Sequence, residues 1–190
     1  LTLPEVPDEI LRISQEKGMK VQMLVNNAGF GTHGLLLDTP TKVYEKMIDL
    51  NIRGPHRMIM HFLPGMLAMP EAFILNVSSA AAFVPGVPKK AVYGATKSYI
   101  LHFSRGLQRE LRSTGVHVSV IAPGSVITTE VVRKRIQAAG FFARQSALTP
   151  QEVAEISFRK MYRKKVLIVP GFLTMLSYKL NKILPTFISI

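Results

Sequence analysis

Short apolar runs alternate along the chain with longer segments in which apolar residues recur every three or four positions. Runs of the first kind predict buried strands, and segments of the second kind predict amphipathic helices. The predicted strands cover residues 21–25, 72–77, 116–121 and 166–169. Strands that alternate with helices pair in parallel and carry helices on both faces. The pattern therefore predicts an α/β fold with a doubly wound parallel sheet.

The predicted helices have recognisable ends. A long helix is predicted over residues 41–67, with Thr39-Pro40 providing a cap and a helix-starting proline. A second helix covers residues 91–113, and Gly115 is a natural stop for it. Another opens at residues 149–152, whose sequence TPQE is a capping-box pattern. Since no repeat, low-complexity segment or linker divides the pattern, residues 1–190 are predicted to form a single domain.

Polar and glycine-rich segments follow three of the predicted strands. Residues 26–29 (NNAG) follow the first strand, Ser78-Ser79 follow the second, and residues 123–129 follow the third. An open parallel sheet binds ligands beyond the carboxyl ends of its strands. We therefore predict one ligand site along this edge of the sheet.

Composition narrows the classes of protein to which the chain can belong. Hydrophobic residues make up 47% of the sequence, which is enough for a sizeable core and too many for a disordered chain. There is no cysteine, which excludes disulfides and thiolate metal sites, and no metal site is predicted. Residues 1–20 are too polar for a signal peptide or a membrane span, and a cytoplasmic location is expected.

Positive charge is concentrated toward the C-terminus. The net charge is +12, and residues 131–190 carry +9 of it, with eleven Lys and Arg against two Glu. Such a basic region can bind a phosphorylated cofactor or anionic lipid. It can also be ordinary surface exposed to solvent. No aromatic-interleaved basic motif or helix-turn-helix pattern is found, so no nucleic-acid partner is expected.

Tyr93 and Lys97 stand one helical turn apart in the sequence YGATK. Residues at this spacing share one helix face, so the ammonium can approach the phenol. A neighbouring cation lowers the pKa of a tyrosine from its ordinary value of about 10, and Tyr93 can then exchange a proton with a carbonyl or alcohol. Ser79, directly after a predicted strand, can hold the same oxygen by a hydrogen bond. A Tyr-Lys pair at this spacing, taken alone, usually lies on the exposed surface of a helix and has no function. Whether this pair belongs to a functional site therefore depends on the surrounding motifs.

Five motifs occur in order: NNAG at residues 26–29, LNIRG at 50–54, NVSS at 76–79, YGATK at 93–97 and PGSVIT at 123–128. With this set the chain resembles the short-chain dehydrogenase/reductase family over nearly all of its length. It is most similar to bacterial-type members and to the hydroxysteroid dehydrogenase and 3-oxoacyl reductase branches. The resemblance implies a Rossmann-like fold and hydride transfer between a nicotinamide cofactor and a carbonyl/alcohol pair. The expected cofactor is NADP(H) rather than NAD(H).

The resemblance also implies a catalytic role for four residues. Tyr93 matches the acid/base, and Lys97 matches the residue that lowers its pKa and holds the nicotinamide ribose. Both Tyr93 and Lys97 are therefore also expected to contact the cofactor. Ser79 matches the hydroxyl that orients the substrate. Asn51 matches the asparagine that forms a proton relay with water and Lys97.

Cofactor contacts are implied for two further segments. Asn27, Ala28 and Gly29 match the segment beside the adenosine part of the cofactor. Residues 123–128 match the segment that touches the nicotinamide. The positions assigned within it are Pro123, Gly124, Val126 and Thr128.

Each assignment has a simpler structural alternative. Asn26 or Asn27 can satisfy a strand-end turn, and Asn51 can be a satisfied buried polar group. Gly29, Gly31 and Gly34 can be loop residues only. Ser78 competes with Ser79 for the active hydroxyl. The reason is that Ser79 precedes Tyr93 by fourteen positions, one more than is usual in the family, and the loop at 85–90 is correspondingly longer.

The family normally begins with a strand, a turn of the form TGxxxGxG and a helix, followed by another strand and helix. GFGTHG at residues 29–34 is glycine-rich, but it follows NNAG and is not in the position of a phosphate-binding turn. The chain is therefore expected to form an N-terminally incomplete sheet and to be doubtful as an enzyme on its own. An uncovered strand edge favours pairing with another chain, so a homo-oligomer is expected.

Residues 171–190 are strongly apolar but include Lys179 and Lys182. They fit a helix that packs beside a substrate cleft, or an interfacial helix that gives peripheral membrane contact. Pro185 and the lysines argue against a full membrane span. Apolar residues expected near the cleft suggest a small lipophilic carbonyl or alcohol as the substrate. They are Phe141, Phe142, Phe172, Leu173, Met175 and Leu176.

Three functions follow from these features. The first is an oxidoreductase with the residues named above. The second is a non-catalytic truncated remnant, or an oligomerising partner of an intact reductase. The third is a protein that binds lipid surfaces through its basic C-terminal region.

Overall fold

The computed structural model of the chain describes residues 3, 5–84, 86–138 and 144–183. Its strands are β1 (Met23–Asn26), β2 (Ala72–Val77), β3 (Val116–Ile121) and β4 (Leu167–Ile168). Its helices are α1 (Val6–Glu16), α2 (Thr41–Ile48), α3 (Gly54–Leu67), α4 (Ala91–Glu110), α5 (Glu130–Ala138), α6 (Pro150–Tyr162) and α7 (Phe172–Ile183). Short 3₁₀ turns lie at Leu36–Asp38 and Ala80–Ala82, and a π-helical segment lies at Asp49–Arg53.

The four strands form one parallel sheet in the order β1-β2-β3-β4. On one face, Ile74 and Val118 pack with residues of α3 and α4, including Phe62 and Leu107. On the other face, Phe73 and its neighbours pack with α6. Strands 72–77 and 116–121 have the predicted bounds. The α/β fold with helices on both faces of a parallel sheet is therefore confirmed.

Several predicted element ends are wrong by a few residues. The first strand begins at Met23 rather than at residue 21, and the last is confined to Leu167–Ile168. Pro40, not Thr39, occupies the N-cap position of α2, and no side chain caps that helix. The π-helical segment Asp49–Arg53 divides the helix predicted over 41–67 into two helices, α2 and α3.

Gly115 does not stop the helix before it, because α4 already ends at Glu110 with Leu111 as its C-cap residue. The glycine lies instead where the chain turns into β3 and passes close to α3's end. A Cβ at Gly115 would collide with the carbonyl oxygens of Met69 and Pro70. The position therefore requires glycine for close backbone approach.

Within the described residues, β1 has a neighbouring strand on one side only. Val25 in the middle of this strand is exposed, although it belongs to an apolar run that is predicted to be buried. A parallel strand with one open edge and an exposed apolar side chain is a site for pairing with another strand. Among all the residues that the structure describes, no helix is long and apolar enough to cross a membrane.

Candidate active site

The segments that follow β1, β2 and β3 meet at the carboxyl edge of the sheet, as their order predicts. The N–H of Ala80, after β2, donates to the carbonyl of Pro123, after β3, at 2.8 Å. The ammonium of Lys97 on α4 donates to the carbonyl of Val77 at the end of β2, at 2.9 Å. These bonds bring the side chains of Ser79, Tyr93 and Lys97 to one region.

Lys97 is buried, with 6% of its surface exposed, and its Nζ lies 6.0 Å from the centroid of the Tyr93 ring. Burial removes water from the ammonium and lowers the pKa of Lys97 from its ordinary value of 10.5 to about 8. Below about pH 8 the side chain is therefore a buried cation beside the phenol. One of its three N–H groups is used by Val77, which leaves two for another partner.

The lowered pKa of Lys97 predicts how stability depends on pH. Between about pH 8 and 10.5 the unfolded chain holds more protons on this lysine than the folded chain does. The free energy of unfolding should therefore rise with pH across that window, by about 3 kcal/mol at most for one group. Below the window the cost of burying the cation is present in full.

We expect Lys97→Met to remove this rise, which urea unfolding of the 190-residue chain at several pH values would measure. Lys42→Met, which changes an exposed lysine of α2, is the matched control and should keep the wild-type slope. Equal slopes in wild type and Lys97→Met would show that the buried ammonium does not contribute to the pH dependence.

Asn51 is buried in the π-helical segment and holds the loop after β1. Its Oδ1 accepts from the N–H of Phe30 at 3.1 Å, and its Nδ2 donates to the carbonyl of Phe30 at 2.9 Å. Nδ2 also donates to Oγ1 of Thr96 at 3.0 Å, and Thr96 in turn donates to the carbonyl of Tyr93 at 2.8 Å. The wider turn of a π-helix aims this side chain inward. Asn51 is thus a satisfied buried group, and its role in a proton relay stays a prediction.

Two glycines let the same loop lie directly on Asn51, Lys97 and Tyr93. A Cβ at Gly29 would lie 2.9 Å from Oδ1 of Asn51 and 3.2 Å from Nζ of Lys97. A Cβ at Gly31 would lie 2.6 Å from Cδ2 and 2.9 Å from Cε2 of Tyr93. Gly29 and Gly31 therefore have a packing role as well as a place in the loop. The backbone at Gly31 lies against the Tyr93 ring, and the backbone at Gly29 lies against the Lys97 ammonium.

Ser78 and Ser79 have different partners. Ser78 is buried, and its hydroxyl donates to the carbonyl of Lys97 at 2.7 Å. Ser79 is half-buried at the start of a 3₁₀ turn, and its Oγ accepts from the N–H of Ala81 at 3.2 Å. Because Ser79 acts as an acceptor in that bond, its own proton remains available for a substrate oxygen. The geometry favours Ser79 as the active hydroxyl.

The protein encoded by the complete open reading frame is called the gene product below. We expect the Ser79→Ala variant of the gene product to have a kcat about tenfold lower than the wild type. A loss of about tenfold is the usual effect of removing one neutral hydrogen bond. Ser78→Ala is the comparison variant. It should lower the denaturation midpoint more and kcat less, because its hydroxyl serves the fold. Steady-state kinetics and urea unfolding on both variants measure this. A larger loss of kcat in Ser78→Ala than in Ser79→Ala would show that Ser78 contacts the substrate instead.

The predicted cofactor segments lie on the same edge. Asn27, Ala28 and Gly29 are exposed after β1, whereas Asn26 is the residue that serves the strand end. Its Nδ2 donates to Oδ1 of Asn76 on β2 at 2.8 Å. The buried Asn76 then donates to Ser104 of α4, which ties the sheet edge to the helix that carries Tyr93 and Lys97.

Residues 123–128 are fixed from two sides. Val126 pairs with Leu148, whose N–H donates to the carbonyl of Ser125 at 3.0 Å. A Cβ at Gly124 would lie 2.6 Å from Oγ1 of Thr174 on α7, so only glycine permits this approach. Pro123, Gly124 and Val126 are half-buried, and Thr128 is exposed. The contacts of these residues with the nicotinamide stay a prediction.

Residues to which the sequence assigned no role also belong to this region. They are Phe30, Asn76, Thr96 and Ser104, which hold the named side chains. Their signal in the sequence is weak, because each is an ordinary residue whose partner lies far away in the chain. Among the residues that the structure describes, no group of three His, Cys, Asp or Glu side chains could hold a metal ion.

Residues 4–139 match the sequence profile of the family described as short chain dehydrogenase. Dehydrogenase/reductase SDR family member 6 of Rattus norvegicus is 36% identical over 119 residues, which are 63% of this chain and 48% of the rat protein. An uncharacterised oxidoreductase of Staphylococcus aureus is 31% identical over 155 residues, which are 82% of this chain and 64% of that protein. A short-chain dehydrogenase from Sphingobium yanoikuyae in complex with NADPH gives a TM-score of 0.77 at 23% identity, over 96% of this chain and 69% of that chain.

The chain therefore belongs to the short-chain dehydrogenase/reductase family, a family of oxidoreductases. The likeness to the Sphingobium structure extends over nearly the whole chain and shows the same fold. The chain spans about half of the length of the rat relative and 64% of that of the Staphylococcus relative.

Proposed function

We propose that the gene product transfers hydride between NADP(H) and a carbonyl/alcohol pair on a small lipophilic substrate, with Tyr93 as the acid/base. One observation carries the proposal. Lys97 is a buried ammonium 6.0 Å from the Tyr93 ring, at the same sheet edge as the free hydroxyl of Ser79. This arrangement supports a site with a proton donor, a neighbouring cation and an orienting hydroxyl.

In reduction, the Tyr93 hydroxyl gives its proton to the carbonyl oxygen as that oxygen gains charge. The cation on Lys97 favours the tyrosinate that remains, since an opposite charge stabilises the ionised form. Ser79 donates a hydrogen bond to the same oxygen and fixes its position. In oxidation the same groups work in reverse.

The residues present fit a nicotinamide cofactor, which supplies the hydride when it is bound. Two N–H groups of Lys97 are left for the hydroxyls of a ribose, because only one is used by Val77. The exposed residues 27–29 and the segment 123–128 border the same edge. The choice of NADP(H) over NAD(H) is supported by the net charge of +12, which favours a ligand with one more phosphate.

The apolar character of α7 supports a lipophilic substrate. Leu173 and Met175 are half-buried on either side of Thr174. Phe172 and Leu176 are exposed, on the side of α7 opposite Thr174. Phe141 and Phe142 lie outside the described residues.

The experiment is a reduction assay of the gene product with a straight-chain aldehyde, a bulky ring ketone and a short polar ketone, each with NADPH and with NADH. We expect turnover that is faster with NADPH and with the two lipophilic substrates. Equal rates for the polar ketone would remove the substrate proposal, and faster turnover with NADH would remove the cofactor preference. No turnover with either cofactor would favour the alternative, a non-catalytic partner of an intact reductase.

The 190-residue chain alone is expected to bind NADPH weakly and to self-associate as a homo-oligomer. The reason is the open edge of β1, where Val25 is exposed, together with the absence of a Gly-rich phosphate turn from its sequence. Calorimetric titration with NADPH and light scattering measure the two properties. Tight, saturable binding by a monodisperse monomer would contradict both.

A further inference from the structure

One face of α7 contacts two loops that border the site. Thr174 is buried on this face, and its Oγ1 approaches the backbone of Gly124. One turn later the ring of Tyr178 lies 4.4 Å, centroid to centroid, from the ring of Phe83 in the segment that follows Ser79. The inner face of α7 therefore joins the two loops that border the proposed substrate position.

The opposite face of α7 carries an apolar stripe, formed by Phe172, Leu176 and Leu180. These residues are four positions apart and so lie above one another on the helix. Their exposed fractions are 80%, 39% and 48%. Residues two positions away, such as Thr174 and Tyr178, point to the other side. The stripe is thus a continuous apolar surface in contact with solvent, directly outside the site.

The charge that α7 itself carries is of one sign. Lys179 is exposed beside it, and α7 contains no Asp or Glu. After Glu155 the sequence has seven Lys and Arg residues and no acidic residue. An apolar stripe on a basic helix fits the boundary of a membrane that contains anionic lipids. A second copy of the chain would bring the same positive charge to the stripe, and that arrangement is repulsive.

We propose that α7 binds anionic lipid membranes through this apolar stripe, lying flat on the surface with its inner face still over the site. Phe172, Leu176 and Leu180 would enter the headgroup region, and Lys179 would meet lipid phosphates. Because the inner face borders the proposed substrate position, the site would then open next to the bilayer, where lipophilic molecules collect. This last consequence rests on the proposed function, but the membrane contact does not.

Flotation of the gene product with vesicles tests the contact. The probes are vesicles of phosphatidylcholine alone and of an equimolar mixture of phosphatidylcholine and phosphatidylglycerol. We expect flotation with the mixed vesicles, much less with phosphatidylcholine, and weaker binding at high salt. Absence of binding to the mixed vesicles, or equal binding to both kinds, would overturn the proposal.

The double variant Phe172→Ser/Leu180→Ser should lower partitioning onto mixed vesicles by about tenfold or more, since two apolar side chains no longer enter the lipid. Its matched control is Leu37→Ser, a 96% exposed leucine in the 3₁₀ turn Leu36–Asp38, which should bind as wild type does. Circular dichroism checks that both variants fold. Unchanged flotation of a folded double variant would contradict the assignment of the stripe.

Two further measurements separate this proposal from others. The variant Tyr93→Phe should float as well as the wild type, so that loss of activity and loss of membrane contact are distinguishable. Sedimentation of the double variant shows whether the stripe joins two copies instead. A dimer that the double variant disrupts, together with no flotation of the wild type, would make the stripe a protein interface and overturn the membrane assignment.

Discussion

The Tyr93→Phe variant of the gene product is expected to lose about 10²–10⁴-fold in kcat, the usual loss when an acid/base group is removed. Phenylalanine keeps the ring that packs against Gly31, so the local structure should be preserved. The affinity for the cofactor should fall by about tenfold at most, the effect of losing one neutral hydrogen bond, which is less than the expected loss in kcat. Single-turnover kinetics and equilibrium titration with NADPH measure these two quantities separately.

Tyr99→Phe is the matched control for this variant. Tyr99 lies on the same helix, is exposed, and stacks on Phe103 with ring centroids 5.7 Å apart. Removal of its hydroxyl should leave kcat within about twofold of the wild-type value, as is usual for a surface change. Full turnover by Tyr93→Phe, or an equal loss in both variants, would remove Tyr93 from the role of the acid.

The Gly31→Ala variant is expected to lower kcat by about 10²-fold, although residue 31 has no side chain to take part in the reaction. A methyl group there would lie 2.6 Å from Cδ2 of Tyr93, which is too close for any real contact. The loop cannot easily retreat, because Asn51 holds both backbone groups of the adjacent Phe30. The ring must therefore shift, and a displacement of about 1 Å at a reacting group can cost this much.

Gly34→Ala in the same loop provides the control. A Cβ at Gly34 would lie 3.6 Å from the nearest atom, Cβ of Asp38, so the methyl group fits in ordinary contact. Its kcat should stay close to the wild-type value. A wild-type rate in Gly31→Ala would show that the ring position is not set by this contact.

The local pattern was sufficient for most of the fold. Residues 72–77 and 116–121 are short, mostly apolar runs between turn residues, and both form strands with the predicted bounds. The capping-box pattern at Thr149 and Glu152 is present, with the N–H of Thr149 donating to Glu152 at 2.8 Å. These features depend on neighbours in the chain, which a sequence displays directly.

The interruption of the long helix after α2 could not be predicted in this way. Its apolar spacing is the same as that of a regular helix, so nothing local marks a π-helical segment. Asn51 lies within this segment, and its amide bonds to Phe30 and Thr96, which are 21 and 45 positions away. Those bonds exist only after the loop, α4 and the segment have packed together.

By itself the sequence determined the order of strands and helices, the edge of the sheet at which the motifs meet, and the one-turn spacing that places Tyr93 and Lys97 on one helix face. Tertiary structure decided which hydroxyl is free, because Ser78 is used by the carbonyl of Lys97. It also lowered the pKa of Lys97 by burial and pressed Gly31 against the Tyr93 ring. It turned Phe172 and Leu176 outward on α7. Hydrophobic periodicity fixes which face a residue occupies on its own element, whereas burial and contact distance depend on elements that are distant in the chain.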